Sequence, residues 1–173
     1  TKFLGSFFAV QLVITNAYEP VVYEKEPAEC LHCGRCSNAC PGKALPMSDP
    51  QKCIRWWMDG QEMPDWAMKG MRRLLGCELC QLACPRNAHL PPIDMPESLF
   101  PVLEYEKLIA MNAAEKAELS ALVGRNMLTR GRVQAQALVL ADWAGIPVKD
   151  AAISLLADER PALQSAAKYA LSK

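Results

Sequence analysis

The last third of the chain carries apolar residues at the spacing of amphipathic helices. The offsets i, i+3, i+4, i+7 and i+8 occur twice, first at Val148, Ala151, Ala152, Leu155 and Leu156, then at Leu163, Ala166, Ala167, Ala170 and Leu171. A stripe of this kind buries one face of a helix. Pro147 and Pro161 lie where a first helical turn accepts proline, and Gly145 lies where the preceding helix is expected to stop.

Two earlier helices are predicted, roughly over residues 114–123 and 132–143, where alanine and leucine dominate the composition. Short breaks between successive helices favour antiparallel neighbours that stack as hairpins. The alanine-rich faces permit these helices to pack closely. Closely packed helical hairpins over residues 113–173 resemble those of HEAT-like repeats.

The N-terminal 23 residues have a different pattern. The β-branched and aromatic residues of 7–15 favour a buried strand, and a turn is expected at 16–20. The apolar run 3–15 is interrupted by Gly5, Ser6 and Gln11 and is too short to span a bilayer. Since the chain opens with Thr1 inside this N-terminal strand segment, we expect further sequence upstream.

Four segments follow from these patterns. Residues 1–23 are a lead-in strand that docks to, or remains from, an upstream domain, and residues 24–90 contain all the cysteines. Residues 91–112 form a linker, because four prolines between 91 and 101 impose extended or turn backbone. Residues 113–173 are the helical tail. The expected fold class is mainly α with a small β part, a two-cluster ferredoxin-like core followed by the helical hairpins.

Charge excludes one broad class of function. Lysine plus arginine and aspartate plus glutamate number 19 each, and this balance argues against a strongly basic nucleic-acid binder while leaving room for a local patch. Eight cysteines lie between residues 30 and 84 in a chain with no recognisable export signal. Clustered cysteines of this kind indicate a metal site, and a cytoplasmic location is expected.

The cysteines form two related groups. The first, Cys30, Cys33, Cys36 and Cys40, has the spacing C-x2-C-x2-C-x3-C-P of two-cluster bacterial ferredoxins. The second consists of Cys53, then Cys77, Cys80 and Cys84, and its C-x2-C-x3-C-P end repeats the first group after an insertion of 23 residues. A cubane cluster needs four converging thiolates, and the cysteine before each proline is expected to reach the other group's cluster.

Two [4Fe–4S] clusters with exchanged ligands are therefore predicted. Cluster one takes Cys30, Cys33, Cys36 and Cys84, and cluster two takes Cys40, Cys53, Cys77 and Cys80. The exchange makes the clusters close neighbours, which favours electron transfer between them. Two structural zinc sites and a disulfide scaffold are the alternatives, and neither requires two C-x3-C-P endings. Purely structural clusters are a further alternative.

The side chains near the ligands have less definite roles. His32 lies between two ligands, where its imidazole either donates to a cluster sulfur or, as we favour, points to solvent. Within the insertion over 54–76, Trp56, Trp57 and Trp66 are expected to cover a cluster or the join to the next segment. A substrate-stacking role is the rarer alternative.

The chain contains a series of motifs in the order C-x2-C-x2-C-x3-CPGKAL, then Cys53-Ile54, then a basic segment at 71–73, then GC-x2-CQ-x2-CP-x-N over 76–87. In the order of these motifs the chain resembles the epoxyqueuosine reductases. These are cobalamin-dependent enzymes that complete queuosine in tRNA. The resemblance is strong over 30–87 and weaker elsewhere. It implies that 5–15 is the strand leading from the family's cobalamin domain and that the tail is HEAT-like.

The departures from that family limit what can be carried over. Most of its cobalamin domain, with the catalytic acid, is not in this sequence, so no catalytic residue is assigned and the chain alone is not expected to be catalytic. Cobalamin is expected only with an upstream domain or partner. Gln134 and Gln164 stand where arginine is expected for tRNA contact. A local patch of Lys69, Arg72, Arg73 and Arg86 is the candidate for phosphate contact, with a solvated charged face as the alternative.

The predicted function is electron transfer through two clusters to a cobalamin-type reductase resembling epoxyqueuosine reductase. Either an upstream cobalamin domain or a separate redox protein is the expected partner, with tRNA as a further candidate and no membrane span. A self-contained ferredoxin-type subunit that docks a partner oxidoreductase is the alternative. A tRNA-binding module with structural clusters is a third and weaker hypothesis.

Overall fold

The structure, a computed structural model, describes residues 5–7, 12, 14–16, 30–45, 47, 49–60, 62–91 and 94–173. Within those ranges the chain is mainly α-helical and contains no β-strand. The strand predicted in 1–23 falls largely outside the described residues. The mainly α prediction is confirmed for the described part of the chain.

The described residues of the cysteine-rich part contain four short α-helices, separated by turns. They are α1 (Arg35–Ala39), α2 (Ile54–Met58), α3 (Asp65–Gly70) and α4 (Leu79–Leu82), with 3₁₀ turns at Pro50–Lys52 and Pro85–Asn87. Five further helices follow: α5 (Tyr105–Ile109), α6 (Ala113–Val123), α7 (Arg132–Trp143), α8 (Lys149–Leu155) and α9 (Pro161–Leu171). Two 3₁₀ segments lie at Glu97–Val102 and Arg125–Gly131.

The sequence specifies the start of α6 and the end of α7 in this tail. Asn112 accepts hydrogen bonds from the backbone N–H groups of Ala114 and Glu115, and the Glu115 carboxylate accepts from the Asn112 N–H, which is a capping box. At the end of α7 the backbone of Gly145 has φ +76°, and Ile146 donates to the Ala141 carbonyl. This Schellman motif satisfies carbonyls that the helix leaves unpaired. The predicted stop at Gly145 is confirmed.

Two details of the helix prediction are wrong. Pro147 does not lie in the first turn of α8, because that helix begins at Lys149 with Val148 as its N-cap. Leu156 is exposed and does not belong to the buried stripe, because α8 ends at Leu155. The start of α9 at Pro161 agrees with the prediction.

Helix α7 lies at the centre of the hydrophobic core. It packs against α5 and α9, and α9 packs in turn against α8 and α3. Apolar residues of the cysteine insertion, Ile54, Met58, Ala67, Met68 and Met71, belong to the same buried cluster as α7 and α9. The insertion thereby anchors the cysteine-rich segment on the helical tail. The division of the chain into four segments stays a prediction.

One buried polar side chain links the two ends of the insertion. Gln136 on α7 is buried; its amide oxygen accepts from the Leu75 N–H at 2.8 Å and its amide nitrogen donates to the Met58 carbonyl at 3.2 Å. Leu75 has φ +63°, a backbone conformation that non-glycine residues rarely adopt. The Gln136 amide thus holds a strained turn just before Cys77.

Replacing Gln136 with leucine is expected to lower the free energy of unfolding by about 2 kcal/mol, because a buried N–H and a buried carbonyl lose their partners. Denaturant unfolding of Gln136→Leu against the parent protein measures this loss. The exposed Gln51 provides the matched control, Gln51→Leu, which is expected to change little. Equal midpoints for Gln136→Leu and the parent would contradict the assigned role.

The entry to α9 is held by a carboxylate. Asp158 accepts hydrogen bonds from the backbone N–H and the guanidinium of Arg160 at 2.7–2.8 Å, and these bonds hold the pKa of Asp158 below its ordinary value. The third guanidinium nitrogen of Arg160, Nη1, donates to Gln134 Oε1 at 2.8 Å. The Asp158 carboxylate therefore organises the turn before α9 and its contact with α7.

This pKa shift predicts a pH-dependent stability. Because the folded state lowers the pKa of Asp158, its contribution is complete above the ordinary aspartate pKa of about 3.9 and is lost as the pH falls through the lower folded value. Thermal unfolding of Asp158→Asn is therefore expected to show less difference from the parent as the pH is lowered. The exposed Asp94→Asn serves as control, and a constant difference at every pH would contradict the prediction.

Candidate metal centre

The two cysteine motifs form similar local structures. Helices α1 and α4 pack against each other, and each is followed by a Cys-Pro pair. Cys40 has φ −76° and ψ 114°, and Cys84 has φ −78° and ψ 121°. Each of these two cysteines donates its N–H to the carbonyl three residues earlier, of Ser37 and Gln81 respectively. The repeated sequence therefore gives a repeated geometry around two packed helices.

The structure brings the thiols of Cys40, Cys53, Cys77 and Cys80 together. Burial raises the pKa of the Cys77 thiol, the Leu79 N–H opposes this rise, and the neighbouring thiols of Cys53, Cys80 and Cys40 add to it. Burial likewise raises the pKa of the Cys80 thiol, with Cys40 and Cys53 adding to it. Thiols placed so that they disfavour negative charge on Cys77 and Cys80 are suited to a cationic iron cluster, which displaces the protons of its ligands. They are the four residues predicted for cluster two.

Two glycines permit the close approach of the segments around Cys40 and Cys53. A Cβ on Gly42 would collide with the Lys52 carbonyl, so only glycine lets residue 42 approach the segment before Cys53 this closely. A Cβ on Gly70 would lie 2.7 Å from Ile54 and 3.1 Å from Pro41. Helix α3 thereby contacts both the residue after Cys40 and the residue after Cys53.

Two of the remaining four cysteines lie nearer the solvent. Cys30 and Cys33 are exposed, while Cys36 on α1 and Cys84 after α4 are half-buried. The Gly34 backbone has φ +70°, which lets the chain turn from Cys33 into α1. The packing of α1 on α4 places Cys36 and Cys84 on neighbouring elements.

Backbone N–H groups point at two of the cysteine sulfurs. The His32 N–H lies 3.4 Å from Cys30 Sγ, and the Ala44 N–H lies 3.3 Å from Cys40 Sγ. N–H···S hydrogen bonds stabilise charge on cluster ligands and tune their potential. His32 is exposed and has φ 50°, so its backbone rather than its imidazole is the donor to a ligand sulfur here. All eight cysteines are free of disulfides.

The spacing of these groups differs from that of a single-ion site. Among the described residues, no three His, Cys, Asp or Glu side chains converge closely enough to hold one metal ion. A cubane binds its thiolates through four separate irons, so its ligands stand further apart than those around one zinc ion. The donor set, thiols with N–H groups directed at sulfur, fits an iron–sulfur cluster.

A polar clamp fastens the N-terminal segment to the second cysteine motif. Buried Asn87 accepts from the Ser6 N–H at 3.0 Å and donates to Ser6 Oγ at 2.8 Å and to the Gln81 carbonyl at 2.7 Å. The Gln81 side chain donates to the Ser6 carbonyl at 2.8 Å. Gly5 has φ +53°, and a Cβ there would collide with Asn87 Oδ1. We call Gly5, Ser6, Gln81 and Asn87 the N-terminal clamp.

The sequence alone did not assign these clamp contacts. Gln81 and Asn87 belong to the string GC-x2-CQ-x2-CP-x-N, and that string was the available signal, since both residues are polar positions beside cysteine ligands. The Asn87 N–H also donates to the Cys84 carbonyl at 3.0 Å. The clamp therefore ties residues 5 and 6 to the turn that carries Cys84.

The three tryptophans of the insertion have different environments. Trp57 donates its indole N–H to the Gln51 carbonyl at 2.7 Å and packs against the hydrophobic core. The Trp66 ring packs against the Gly42 backbone, and Trp56 is exposed. Of these three, Trp66 lies against the loop that follows Cys40.

The four predicted phosphate contacts do not form one uniform patch. Lys69 and Arg72 line the same surface groove, while Arg73 pairs with Glu78 at 3.7 Å and Arg86 is exposed in the 3₁₀ turn after Cys84. Gln134 donates to the Ile109 carbonyl, and Gln164 donates to the Asp158 carbonyl. Both glutamines thus make contacts within the fold at positions where arginine was expected.

Comparison with known protein families agrees with the geometry of the cysteines. Residues 29–87 match the family described as "4Fe-4S double cluster binding domain". The match includes all eight cysteines and supports iron–sulfur clusters as the group that they bind.

Relatives of the whole chain lie among the reductases. The chain is 30% identical to the epoxyqueuosine reductase of Bacillus subtilis (strain 168), over 98% of this chain and 46% of that protein. It is 31% identical to the epoxyqueuosine reductase of Cyclobacterium marinum, over 61% of this chain and 36% of that protein. An "Uncharacterized protein in gldA 3'region" of Geobacillus stearothermophilus is 26% identical over 98% of this chain and 83% of its own length.

The resemblance to epoxyqueuosine reductases is therefore confirmed as a distant and partial similarity. The chain spans about half the length of the reductase from Bacillus subtilis. No solved structure shows a significant match. In the described part of the chain, no helix has the length and apolar character needed to cross a membrane.

Proposed function

We propose that the chain holds two [4Fe–4S] clusters with exchanged ligands and conducts single electrons through them. Cluster one takes Cys30, Cys33, Cys36 and Cys84, and cluster two takes Cys40, Cys53, Cys77 and Cys80. The grouping of the Cys40 thiol with those of Cys53, Cys77 and Cys80 carries this proposal. Cys40 belongs by sequence to the first motif, yet its thiol neighbours belong to the second.

Each cluster, when bound, supplies a one-electron redox centre. The chain's own residues hold the two centres beside one another, because α1 and α4 pack together and each motif gives its last cysteine to the other set. The N–H groups of His32 and Ala44 stabilise ligand sulfur charge. The half-buried positions of Cys36, Cys77, Cys80 and Cys84 limit access of water to the sulfurs.

The partner is proposed from the relatives. We propose that the electrons serve a cobalamin-type reductase resembling epoxyqueuosine reductase, with cluster one nearer the acceptor and cluster two nearer an external reductant. The acceptor lies on an upstream domain or a partner protein, and tRNA contact through Lys69, Arg72, Arg73 and Arg86 belongs to the same proposal. We further propose a ferredoxin-like arrangement of residues 24–90, HEAT-like packing of 113–173 and a cytoplasmic location.

An anaerobic electron titration tests this function. Protein loaded with iron and sulfide is expected to take up about two electrons, one for each cluster, and to return them to a one-electron acceptor once excess reductant is removed. Cys40→Ser and Cys84→Ser are each expected to halve that capacity. Loaded protein that takes up electrons but does not return them to any acceptor would contradict an electron-transfer role.

A further inference from the structure

A groove unrelated to the cysteine ligands lies where three helices meet. It is bounded by α3 and by the C-terminal ends of α7 and α9, and its volume is about 500 Å³. Its lining consists of aromatic and cationic side chains with Asp65 at the same surface: Trp66, Lys69, Arg72, Trp143, Tyr169 and Lys173. A groove of this size accommodates a small organic group.

Two of the aromatic side chains are exposed to solvent. Trp143 is 59% exposed and Trp66 is 39% exposed, although indoles are among the side chains that gain most from burial. Tyr169, on α9, is buried and lines the same groove. The groove therefore offers two exposed indoles together with a buried phenol ring.

Two of the three cations, Arg72 and Lys173, lie over these rings. Arg72 donates to the Lys69 and Met71 carbonyls, both at 2.7 Å, and its guanidinium carbon lies 5.1 Å from the centre of the Trp143 ring. Lys173 Nζ lies 4.4 Å from the centre of the Tyr169 ring and 2.6 Å from an Asp142 carboxylate oxygen. Arg72 is thus positioned by its own backbone contacts before any ligand arrives.

We propose that this groove binds a nucleotide. The base stacks on Trp143 and Trp66, and the phosphate is held by Lys69, Arg72 and Lys173. An apolar ligand would strip water from the Lys69 and Arg72 cations without pairing them, and inorganic phosphate would leave the indoles uncovered. A planar aromatic group that carries a phosphate satisfies both halves of the groove.

The same chemistry is available from a free mononucleotide or from an unpaired stretch of RNA, whose bases stack on aromatic side chains. Since Lys69 and Arg72 are among the proposed tRNA contacts, the inference rests on that part of the proposed function and gives it a defined site. Through the contact of Trp66 with Gly42, a base stacked on Trp66 lies one side chain from the loop after Cys40.

Calorimetric titration of the cluster-loaded protein with AMP and, separately, with a short single-stranded RNA tests the groove. Trp143→Ala is expected to weaken binding about tenfold, because it removes one stacking surface. Lys69→Ala is expected to reduce the dependence of RNA affinity on salt. Trp56→Ala, an exposed tryptophan on α2 outside the groove, is the matched control and is expected to bind like the parent.

Titration with AMP and with single-stranded RNA distinguishes a free mononucleotide from an RNA strand as the natural ligand. Binding of AMP alone assigns the groove to a free nucleotide, and binding of RNA alone or more tightly assigns it to a strand. If neither ligand binds, if Trp143→Ala binds like the parent, or if Trp56→Ala loses as much affinity, the inference is wrong. Iron and sulfide are measured on the same samples, so failure of the groove with intact clusters leaves the electron-transfer proposal standing.

Discussion

Cys84→Ser is expected to remove the cluster bound by the first cysteine motif and to leave the other one in place. The prediction follows from the exchange of Cys40 and Cys84 between the two sets, since loss of one thiolate in four opens one cluster only. Alkylation followed by mass spectrometry measures which thiols are no longer protected by a cluster. In Cys84→Ser, Cys30, Cys33 and Cys36 should become reactive, while the four thiols of the second set stay protected.

Cys40→Ser is the matched variant because Cys40 holds the corresponding position in the first motif. It should expose Cys53, Cys77 and Cys80 and leave Cys30, Cys33 and Cys36 protected. If Cys40 and Cys84 were not exchanged between the clusters, Cys84→Ser would expose Cys53, Cys77 and Cys80. Cys40→Ser would then expose Cys30, Cys33 and Cys36. Iron content should fall by about half in each, since each cluster contains the same number of irons.

Asn87→Ala is expected to lower the free energy of unfolding by about 3 kcal/mol, because three part-buried hydrogen bonds are lost together. Ser6 and the Gln81 carbonyl lose their partner, and the turn holding Cys84 loses its attachment to residues 5 and 6. Denaturant-induced bleaching of the cluster absorbance measures the change. The exposed Asn126→Ala is the control and should change little.

Gly5→Ala approaches the same clamp from its other side. A methyl group at residue 5 would collide with Asn87 Oδ1 in a backbone conformation that disfavours alanine, so this variant should destabilise the protein in the same way. Because both variants break one clamp, Gly5→Ala combined with Asn87→Ala should cost less than the sum of the single changes. Additive losses would contradict a shared clamp.

The helical tail could be predicted well from its sequence because local signals determine it. The apolar period, the glycine stop at Gly145 and the proline start at Pro161 each depend on nearby residues only. The miss at Leu156 arose because an apolar period does not mark the end of a short helix. The position of α7 at the core centre depends on contacts distant in sequence, which no local pattern contains.

The cysteines are a different case, because their spacing reflects the geometry of a ligand. The spacing, together with the ligand exchange of two-cluster ferredoxins, predicted that Cys40 joins Cys53, Cys77 and Cys80. These four thiols are neighbours in the structure, and their assignment to one cluster stays a prediction. The supporting contacts could not be predicted in this way. Gln136, Gln81 and Asn87 act across separations of 61 to 81 residues, and the close approach at Gly42 is visible only in three dimensions.

Iron and acid-labile sulfide, counted per chain in anaerobically prepared protein, test the central claim most directly. Two cubanes on eight thiolates predict about eight irons and about eight sulfides for each chain. A preparation that is fully folded and contains zinc without sulfide, or about half that amount of iron with four thiols left reactive, would contradict the account.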